Sequence, residues 1–585
     1  MSDSENIEVP ARTRIPYWRL VADQAGITPE VRDYKYDGSG TEEDPYRVKW
    51  IPNDPRNPMT FSLVKKWFIT MTVALTTLAV ALVSSAYTGG IREIIMEFHI
   101  SQEVATLGVS LFVLGFAIGP LLWAPLSEMF GRQYLFIGTY AALTAFNSGC
   151  AGAQNAQTLL VLRFFAGAFG SSPLTNAGGT IADMFPASQR GLAMAIFAAA
   201  PFLGPVLGPI IGGFLGMNAG WRWVMGFLGA FSGALWIVGT LLVPETYAPV
   251  LLRQRASKLS KITGHVYVSQ IDFERGKITL TESFKTALSR PWILLFKEPI
   301  VLLLSVYMAI VYGTLYMLFG AFPIVYQQNR GWNSGVGGLA FLGIMVGMLL
   351  AIAYTIPQNK RYIKIEQKNG GFAPPRGSSS RLSYRIHWMA SIAAGVPFGF
   401  GMVLVFLSVM NYLIDSYTIF AASVLAANSV LRSLFGAAFP LFTSYMYKDL
   451  GIHWASSVPA FLALACVPFP FLFYKYGASI REKCKFAAQS AAFMRKLQND
   501  AAPPSEEEEK NDETVPEEEN FDDDASTEVE EPAYAPITAS RSHHSVRSHA
   551  SRASRASRAS MASRRRSYEG NPYDIDRVNT KQSFT

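Results

Sequence analysis

The sequence predicts an all-α membrane protein in which two helical bundles are joined by a polar segment. Charged residues make up 16% of the 585 positions, whereas soluble domains carry about a quarter. Half of the residues are apolar, and the mean hydropathy is +0.19 although both ends of the chain are polar. Apolar runs of about 20 residues, the length that crosses a bilayer as a helix, lie on both sides of a polar stretch at 244–298. This composition argues against a soluble enzyme.

Eleven membrane spans are predicted in two groups. Residues 1–66 are polar, contain no signal-peptide core and are expected to be disordered. Residues 67–243 are expected to form a bundle of six helices, with spans at 67–87, 104–126, 134–153, 159–182, 192–215 and 224–243. Residues 299–475 are expected to form the second bundle, with spans at 299–325, 336–356, 386–409, 417–445 and 455–473.

Lysine and arginine residues orient the chain in the membrane. The segment 244–298 carries nine of them and the loop after the eighth span carries seven, whereas each loop on the opposite side carries at most one. Positive charge collects on the cytoplasmic side of membrane proteins, so the N terminus and the middle segment are expected in the cytoplasm. The net charge of +7 therefore marks a membrane face rather than a nucleic-acid site.

The tail, 476–585, is predicted to be disordered and charged. Residues 506–531 contain 15 acidic side chains and one lysine, and Ser-Arg-Ala repeats fill 551–560. A solvated tail is one interpretation. The other is a substrate for kinases, because phosphorylation of Ser567 would add negative charge beside three arginines. The protein is expected to be a monomer.

No metal site, cofactor or nucleotide-binding motif is predicted. The three cysteines lie far apart, and no Gly-x-x-x-x-Gly-Lys-Ser/Thr sequence is present to bind ATP. Neither an enzyme nor an ATP-driven pump is therefore expected, and transport would draw on an ion gradient.

Small residues recur four positions apart within several spans, which lets helix backbones pack closely. The densest run lies in the fifth span and consists of Gly204, Gly208, Pro209, Gly212 and Gly213. It predicts a bent helix packed closely against a neighbour. A simple packing face and a further functional role are both compatible with this run.

Several sequences resemble those of a known family. The fifth-span run has the antiporter pattern of the major facilitator superfamily, Gly-x-x-x-Gly-Pro-x-x-Gly-Gly. Residues 124–132 resemble its loop motif, and Arg163 with the glycines after it is similar to its fourth-span motif. Four further stretches resemble the fungal drug:proton antiporters with twelve spans more specifically, at 54–58, 221–223, 244–246 and 411–442. That group includes polyamine and multidrug exporters. The resemblance covers about residues 54–486.

The resemblance implies that Arg163, Asp183 and Glu128 are candidates for proton coupling. A buried arginine costs about 2.5–3.5 kcal/mol on insertion scales, so Arg163 is expected to face the bundle interior and to have a partner. The alternative is that Arg163 lies at the interface and extends to the lipid headgroups.

The candidate gate comprises Glu128, Gly131, Arg132 and Arg190, with Asp183 nearby. These residues lie at one end of spans two to five, where opposite charges would hold one state closed and separate when the bundles rock. Breaking such pairs shifts the pKa of a carboxylate, which would link proton occupancy to conformation. The alternative is ordinary orienting charge.

An aromatic face on the seventh span predicts a substrate cavity. Three of its rings lie at helical spacing and would contact flat or cationic molecules. Polar residues elsewhere would complete the cavity, whose predicted lining is Tyr312, Tyr316, Phe319, Asn176, Asn428 and Arg432. The alternative is that the aromatic stripe only packs against other helices.

One span of the family pattern is missing. Eleven spans put the two termini on opposite sides of the membrane, whereas the basic residues after the last span favour the cytoplasm. The span at 386–409 resembles the family's tenth, so the ninth is predicted to be absent between about 382 and 386. A segment lost from the gene sequence and a true eleven-span variant both fit.

The predicted function is proton-coupled export of drugs, toxins, polyamines or secondary metabolites by alternating access. The expected setting is a fungal plasma membrane, and the expected partners are a small-molecule substrate, protons and the bilayer, without nucleic acid. Two alternatives stay open: import of a nutrient or metabolite on the same fold, and a transport-defective membrane sensor or scaffold.

Overall fold

A computed structural model describes residues 15–276, 279–368 and 392–500. The elements up to the end of the first bundle are α1 (Tyr17–Ala22), α2 (Pro29–Asp33), β1 (Tyr46–Val48), α3 (Leu63–Ala86), α4 (Ile91–Phe98), α5 (Gln102–Phe130), α6 (Arg132–Ala151), α7 (Ala156–Met184), α8 (Ala187–Ala219) and α9 (Trp221–Leu242). The middle segment holds α10 (Ala248–Thr263), β2 (Tyr267–Ser269), α11 (Gln270–Arg275) and α12 (Leu280–Lys297). The remaining helices are α13 (Pro299–Phe322), α14 (Ser334–Gly338), α15 (Leu342–Lys368), α16 (Gly395–Ser416), α17 (Ala421–Cys466), α18 (Pro468–Lys483) and α19 (Lys485–Asp500). We call α3 to α9 the first bundle and α13 to α18 the second bundle.

The all-α membrane architecture predicted from the sequence is confirmed. Among the described residues, eight helical stretches are long and apolar enough to cross a bilayer. Helices α6 and α7 are not among them, although both are long enough, and α7 contains the polar residues Arg163, Asn176 and Asp183. The last of the eight, Ala421–Phe473, bends at Gly451, whose φ of +70° is not helical. The split into six and five spans stays a prediction.

Each bundle contains a closely packed pair of parallel helices. In the first bundle a Cβ atom at Gly204 would meet Ala81 of α3, and one at Gly212 would meet the backbone of Ala86. In the second bundle a Cβ atom at Gly313 of α13 would meet the ring of Phe439 of α17. The glycines thus set the distance between helix axes, as the four-residue spacing predicts for the fifth span.

A second parallel pair recurs in both bundles, and here the two bundles differ. In the first bundle α5 and α7 are parallel, with the backbone of Phe112 against Gly167 and Gly119 against Ser171, and α6 returns between them. In the second bundle α15 and α16 are parallel, with Gly343 against Ile392 and Gly347 against 396–400. The described residues contain no helix that returns between α15 and α16.

The side of the second bundle where a returning helix would pack is open among the described residues. In the first bundle α6 packs along α9, where Trp236 donates to the carbonyl of Ile137 (3.0 Å). The matching part of the second bundle follows the bend in α17, and its large side chains are exposed: Trp454 to 69% and Phe461 to 61%. Whether the chain has a ninth span stays a prediction.

The N-terminal segment is folded onto the middle segment, which corrects the prediction of disorder for residues 15–62. Strand β1 pairs in parallel with β2, with Tyr46 opposite Tyr267. Val31 and Val48 are fully buried with Leu259 of α10. We call residues 15–62 with α10, β2 and α11 the loop layer. Each of its two segments has too few apolar residues to predict a core, and only their pairing across about 200 positions of sequence creates one.

A buried ion pair joins the two segments of the loop layer. The Arg255 guanidinium donates to both carboxylate oxygens of Asp54, at 2.5 and 3.2 Å, and each side chain is only 1% exposed. Gln24 also donates to the Gln133 side chain at the start of α6 (2.9 Å), which ties the layer to the first bundle.

The tail predicted from residue 476 begins in helical structure. Helix α18 continues to Lys483 and α19 covers Lys485–Asp500, so the prediction of disorder is wrong for these residues. The acidic run and the Ser-Arg-Ala repeats lie outside the described residues.

We predict that the messenger RNA encodes about 25 further, mostly apolar residues between codons 381 and 387, enough for a helix that returns between α15 and α16. Sequencing the transcript across these codons checks this. A transcript that encodes only the present residues would contradict it and would leave a true eleven-span protein.

Asp54→Asn is expected to destabilise the loop layer by about 3–5 kcal/mol, because it leaves the Arg255 charge buried without its partner. Limited proteolysis of the purified full chain would show faster cleavage within residues 15–62. Asp37→Asn is the control, since its ion pair with Lys49 is exposed to solvent and contributes little to stability. Equal cleavage rates for the two variants would contradict the prediction.

Candidate functional site

Arg163 lies fully buried where α3, α5 and α7 meet. Two of its hydrogen-bond acceptors belong to the last turn of α3. The guanidinium also lies over the rings of Tyr87 (4.9 Å) and Phe112 (4.4 Å). Its hydrogen-bond acceptors are the carbonyl oxygens of Gly108 (2.9 Å), Val83 (3.0 Å) and Ser84 (3.1 Å).

This geometry confirms an interior position for Arg163 and excludes the interfacial alternative. The partners are backbone carbonyls rather than a carboxylate, so the positive charge is solvated but not neutralised. Arg163 therefore fastens three helices of the first bundle to one another. Its predicted role in proton coupling is not tested by this arrangement.

A chain of hydroxyl groups leads from Arg163 into the second bundle. Ser84, whose carbonyl binds Arg163, has its hydroxyl 2.8 Å from the hydroxyl of Tyr316. Tyr312 donates to that same tyrosine oxygen at 3.4 Å, and the Arg432 guanidinium lies 4.9 Å from the Tyr312 ring centroid. We call this series, from Arg163 to Arg432, the polar path.

Arg432 ends the polar path without the hydrogen bonds that Arg163 has. It is 7% exposed, and its Nε and Nη1 atoms have no partner among the described residues. A second ring, that of Phe406, lies 5.5 Å from the guanidinium. One turn earlier on α17, buried Asn428 donates to the Ser305 hydroxyl (3.3 Å), while its Oδ1 has no described partner.

The structure brings together most, but not all, of the predicted cavity residues. Tyr312, Tyr316 and Arg432 belong to the polar path, and Phe319 packs on Tyr316 with ring centroids 5.1 Å apart. These side chains are buried against one another, so the cavity predicted among them is closed in this state.

Asn176 lies apart from the other predicted cavity residues. It donates to Ser172 (3.2 Å) and lines a cavity of about 30 Å³ inside the first bundle, together with Arg132. That volume holds about one water molecule and is too small for a drug-sized substrate. We therefore do not place Asn176 in the substrate site of this state.

An ion pair at one end of the first bundle joins two of the predicted gate residues. Arg132 donates to Asp183 through Nε (2.6 Å), and Thr246 donates to the same carboxylate oxygen (3.2 Å). The Tyr247 ring lies 5.0 Å from the Arg132 guanidinium. The pair therefore connects the ends of α6 and α7 to the residues that follow α9.

Two further predicted gate residues lie at the ends of neighbouring helices. Arg190 donates to the carbonyl oxygens of Ala182 and Phe185, both at 3.0 Å, and so binds the C-terminal end of α7. Glu128 is half-buried in the last turn of α5. Of the predicted gate contacts, the structure contains the Arg132–Asp183 ion pair.

Glu245 is a member of this network that the sequence analysis did not single out. Its carboxylate accepts hydrogen bonds from the backbone N–H groups of Gln133 (3.0 Å), Thr246 (2.9 Å) and Tyr247 (2.8 Å). It thereby binds the N-terminus of α6, where negative charge is favourable. Gly131 has a φ of +92°, and a Cβ atom there would run into the Glu245 carboxylate. In the sequence, the only indication of a role for Glu245 is the Pro-Glu-Thr motif at 244–246.

The fifth-span run lies where α8 meets both α3 and the second bundle. A Cβ atom at Gly208 would meet the Ser85 hydroxyl and the backbone of Ala86. Ser85 donates to the carbonyl of Pro205 (2.9 Å), which lies in the proline-bent part of α8. Gly213 lies against the backbone of Ser334, and the Pro209 carbonyl faces Gly338.

Two similarly built helical bundles, with a buried polar path between them, are the architecture of a secondary membrane transporter. Residues 73–363 match the sequence profile of the Major Facilitator Superfamily. The chain belongs to that superfamily, and it is a multi-pass membrane protein.

The curated relatives are fungal transporters. The chain is 67% identical to the multidrug transporter mdrA of Aspergillus fumigatus, over 100% of this chain and 98% of that protein. It is 62% identical to the efflux pump MFS2 of Trichophyton rubrum, over 97% of this chain and 96% of that protein. It is 50% identical to the efflux pump FUB11 of Gibberella moniliformis, over 82% of this chain and 84% of that protein. The match to mdrA extends over 607 positions, 22 more than this chain has residues.

Gly208→Leu is expected to lower the free energy of unfolding by about 1–3 kcal/mol, because the side chain would force α8 away from α3. The thermal midpoint of the purified protein in detergent measures this. Gly226→Leu is the control, since a Cβ atom at Gly226 has no neighbour within 4 Å. A similar loss of stability in both variants would contradict the prediction.

Proposed function

We propose that the protein is a proton-coupled exporter of small molecules that works by alternating access between its two bundles. The relatives named as a multidrug transporter and efflux pumps support export. The observation that carries the mechanism is the Ser84–Tyr316 hydrogen bond in the middle of the polar path. A single side-chain bond between separately packed bundles can form in one state and break in another.

The contacts within each bundle differ in kind from those between the bundles. Inside the first bundle, Arg163 binds three carbonyls and the glycines of α8 pack directly on the α3 backbone. Between the bundles, the central contacts are the Ser84–Tyr316 bond and the rings of Phe202 and Phe406, with centroids 4.7 Å apart. Each bundle would therefore move as one body, and the central side-chain contacts would rearrange.

One end of the interface is closed by backbone contacts in this state. Gly213 and Pro209 of α8 lie against Ser334 and Gly338 of α14. Because no side chain separates the helices there, a small rotation of one bundle would open this end. The run that resembles an antiporter motif would then serve as the closing surface.

We assign proton coupling to Asp183 in its ion pair with Arg132. Among the described membrane helices, the carboxylates lie within one turn of a helix end or of the bend at Gly451, so none is at the centre. Protonation of Asp183 would remove one charge of the pair and release Arg132, Thr246 and Tyr247 from each other. Arg163 and Glu128 would act on this step only at a distance.

A plasma membrane location, a cytoplasmic N terminus, a monomeric state and phosphorylation of the tail belong to the same proposal. The cytoplasmic N terminus rests on the distribution of lysine and arginine, and phosphorylation rests on the tail sequence.

The test uses the full chain in liposomes with an imposed proton gradient and three fluorescent probes: fluorescein, Nile red and rhodamine 6G. We expect gradient-driven extrusion of at least one probe, and its loss on addition of a protonophore. Asp183→Asn is expected to reduce the gradient-driven rate at least tenfold while probe exchange without a gradient continues. Asp37→Asn, on the exposed face of the loop layer, is the control.

Extrusion that persists with the protonophore would contradict proton coupling, and an unchanged rate in Asp183→Asn would contradict the role of Asp183. Net uptake of a probe would favour the importer. Probe binding without any transport would favour a sensor or scaffold.

A further inference from the structure

The interior of the membrane domain carries unbalanced positive charge. Arg163 and Arg432 are both buried at its centre, whereas the carboxylates of the described membrane helices lie near helix ends or the bend at Gly451. A buried charge without an opposite charge or a full set of hydrogen bonds is costly. The centre of the protein is therefore complementary to an anion.

Comparison of the two arginines identifies where an anion would bind. Arg163 has three carbonyl acceptors, so its hydrogen-bonding capacity toward a ligand is largely used. Arg432 offers Nε and Nη1 without described partners, although it is buried to the same degree as core residues. Hydrogen bonds from a guanidinium to a carboxylate are about twice as strong as neutral ones.

The surroundings of Arg432 indicate an apolar, flat ligand body. The rings of Tyr312 and Phe406 flank the guanidinium, and Phe202 of the first bundle contacts both, at 5.9 and 4.7 Å between centroids. These rings come from both bundles. They would therefore move apart and release a ligand bound between them when the bundles rock. Asn428, four residues before Arg432, adds an unpaired acceptor on the same helix face.

The same geometry disfavours a cationic ligand. The sequence predicts that the aromatic face receives flat or cationic molecules, yet the position over the rings of Tyr312 and Phe406 is already taken by the Arg432 guanidinium. A polyamine placed there would meet a like charge in a low-dielectric interior, which is strongly unfavourable.

We propose that Arg432 is the anion-binding residue of the central site, and that the preferred substrates are apolar aromatic acids carried as carboxylates. The proposal rests on the proposed transport function for its biological meaning, but binding itself can be measured without transport. The carboxylate would take the free guanidinium donors, and the aromatic body would lie among the three rings.

The test measures binding of three matched probes to the purified full chain in detergent by isothermal titration calorimetry. The probes are 1-naphthaleneacetic acid, its neutral amide, and 1-naphthylethylamine. We expect the acid to bind at least tenfold more tightly than the amide, and the amine to bind more weakly than the amide.

Arg432→Gln is expected to remove this preference, with at least a tenfold loss for the acid and little change for the amide. Arg432→Lys is expected to retain part of it, because the charge remains but the fixed donor geometry is lost. Arg330→Gln, an exposed arginine, is the control for a general effect of charge. Retained amide binding shows that a variant is folded. If Arg432→Gln does not fold, the probe series on the unaltered chain and on Arg432→Lys still decides.

Equal binding of acid and amide to the unaltered chain, or an unchanged preference in Arg432→Gln, would overturn the proposal. Failure of the transport function has a different signature. Acid-selective binding without gradient-driven movement in liposomes would support Arg432 as an anion site and contradict the exporter function. Extrusion of rhodamine 6G without acid binding would support the exporter function and contradict the anion site.

Discussion

The Arg163 guanidinium is held by hydrogen bonds to backbone carbonyls of two different helices, and the other contacts at the centre of the protein depend on these bonds. Because the carbonyl of Ser84 accepts from Arg163, the last turn of α3 is fixed in position and the Ser84 hydroxyl points toward α13. Tyr316 then accepts or donates at that hydroxyl, and Tyr312 follows one turn away. The rigid end of the polar path lies in the first bundle, and the end with unused donors lies in the second bundle.

The network at the end of the first bundle adds a link to the loop layer. Glu245 binds backbone N–H groups at the start of α6, and its own carbonyl accepts from Arg56 (3.2 Å). Burial lowers the pKa of Arg56 to about 10, so the side chain remains charged at neutral pH. Breaking the Arg132–Asp183 pair would therefore also alter the contacts of Thr246 and Glu245, and through them the contact of Glu245 with the folded N-terminal segment.

Local sequence patterns predicted the parts of the structure that depend on local geometry. Glycines four residues apart predicted that the fifth span packs closely against a neighbour, which the structure identifies as α3. The spacing of Tyr312 and Tyr316 predicted a shared face. Pairings between distant segments were not predictable in the same way. The Glu245 carboxylate binds an N–H group 112 positions away, and β1 pairs with β2 across more than 200 positions. The lack of a described partner for Nε and Nη1 of Arg432 could be recognised only once the neighbouring residues were placed.

The parallel order of α15 and α16 has a consequence for biogenesis. A translocating ribosome releases successive hydrophobic segments in alternating directions, so a chain without a return crossing would deliver α16 upside down relative to α15. Helices α17 and α18 would follow in inverted orientation, and α17 would then run antiparallel to α13 rather than pack on it through Gly313. Residues 369–391 are rich in Gly, Pro, Ser and Arg and lack an apolar run long enough to cross a bilayer. A chain with eleven spans would therefore reach the arrangement described here only if α16 and the helices after it were inserted against this alternation.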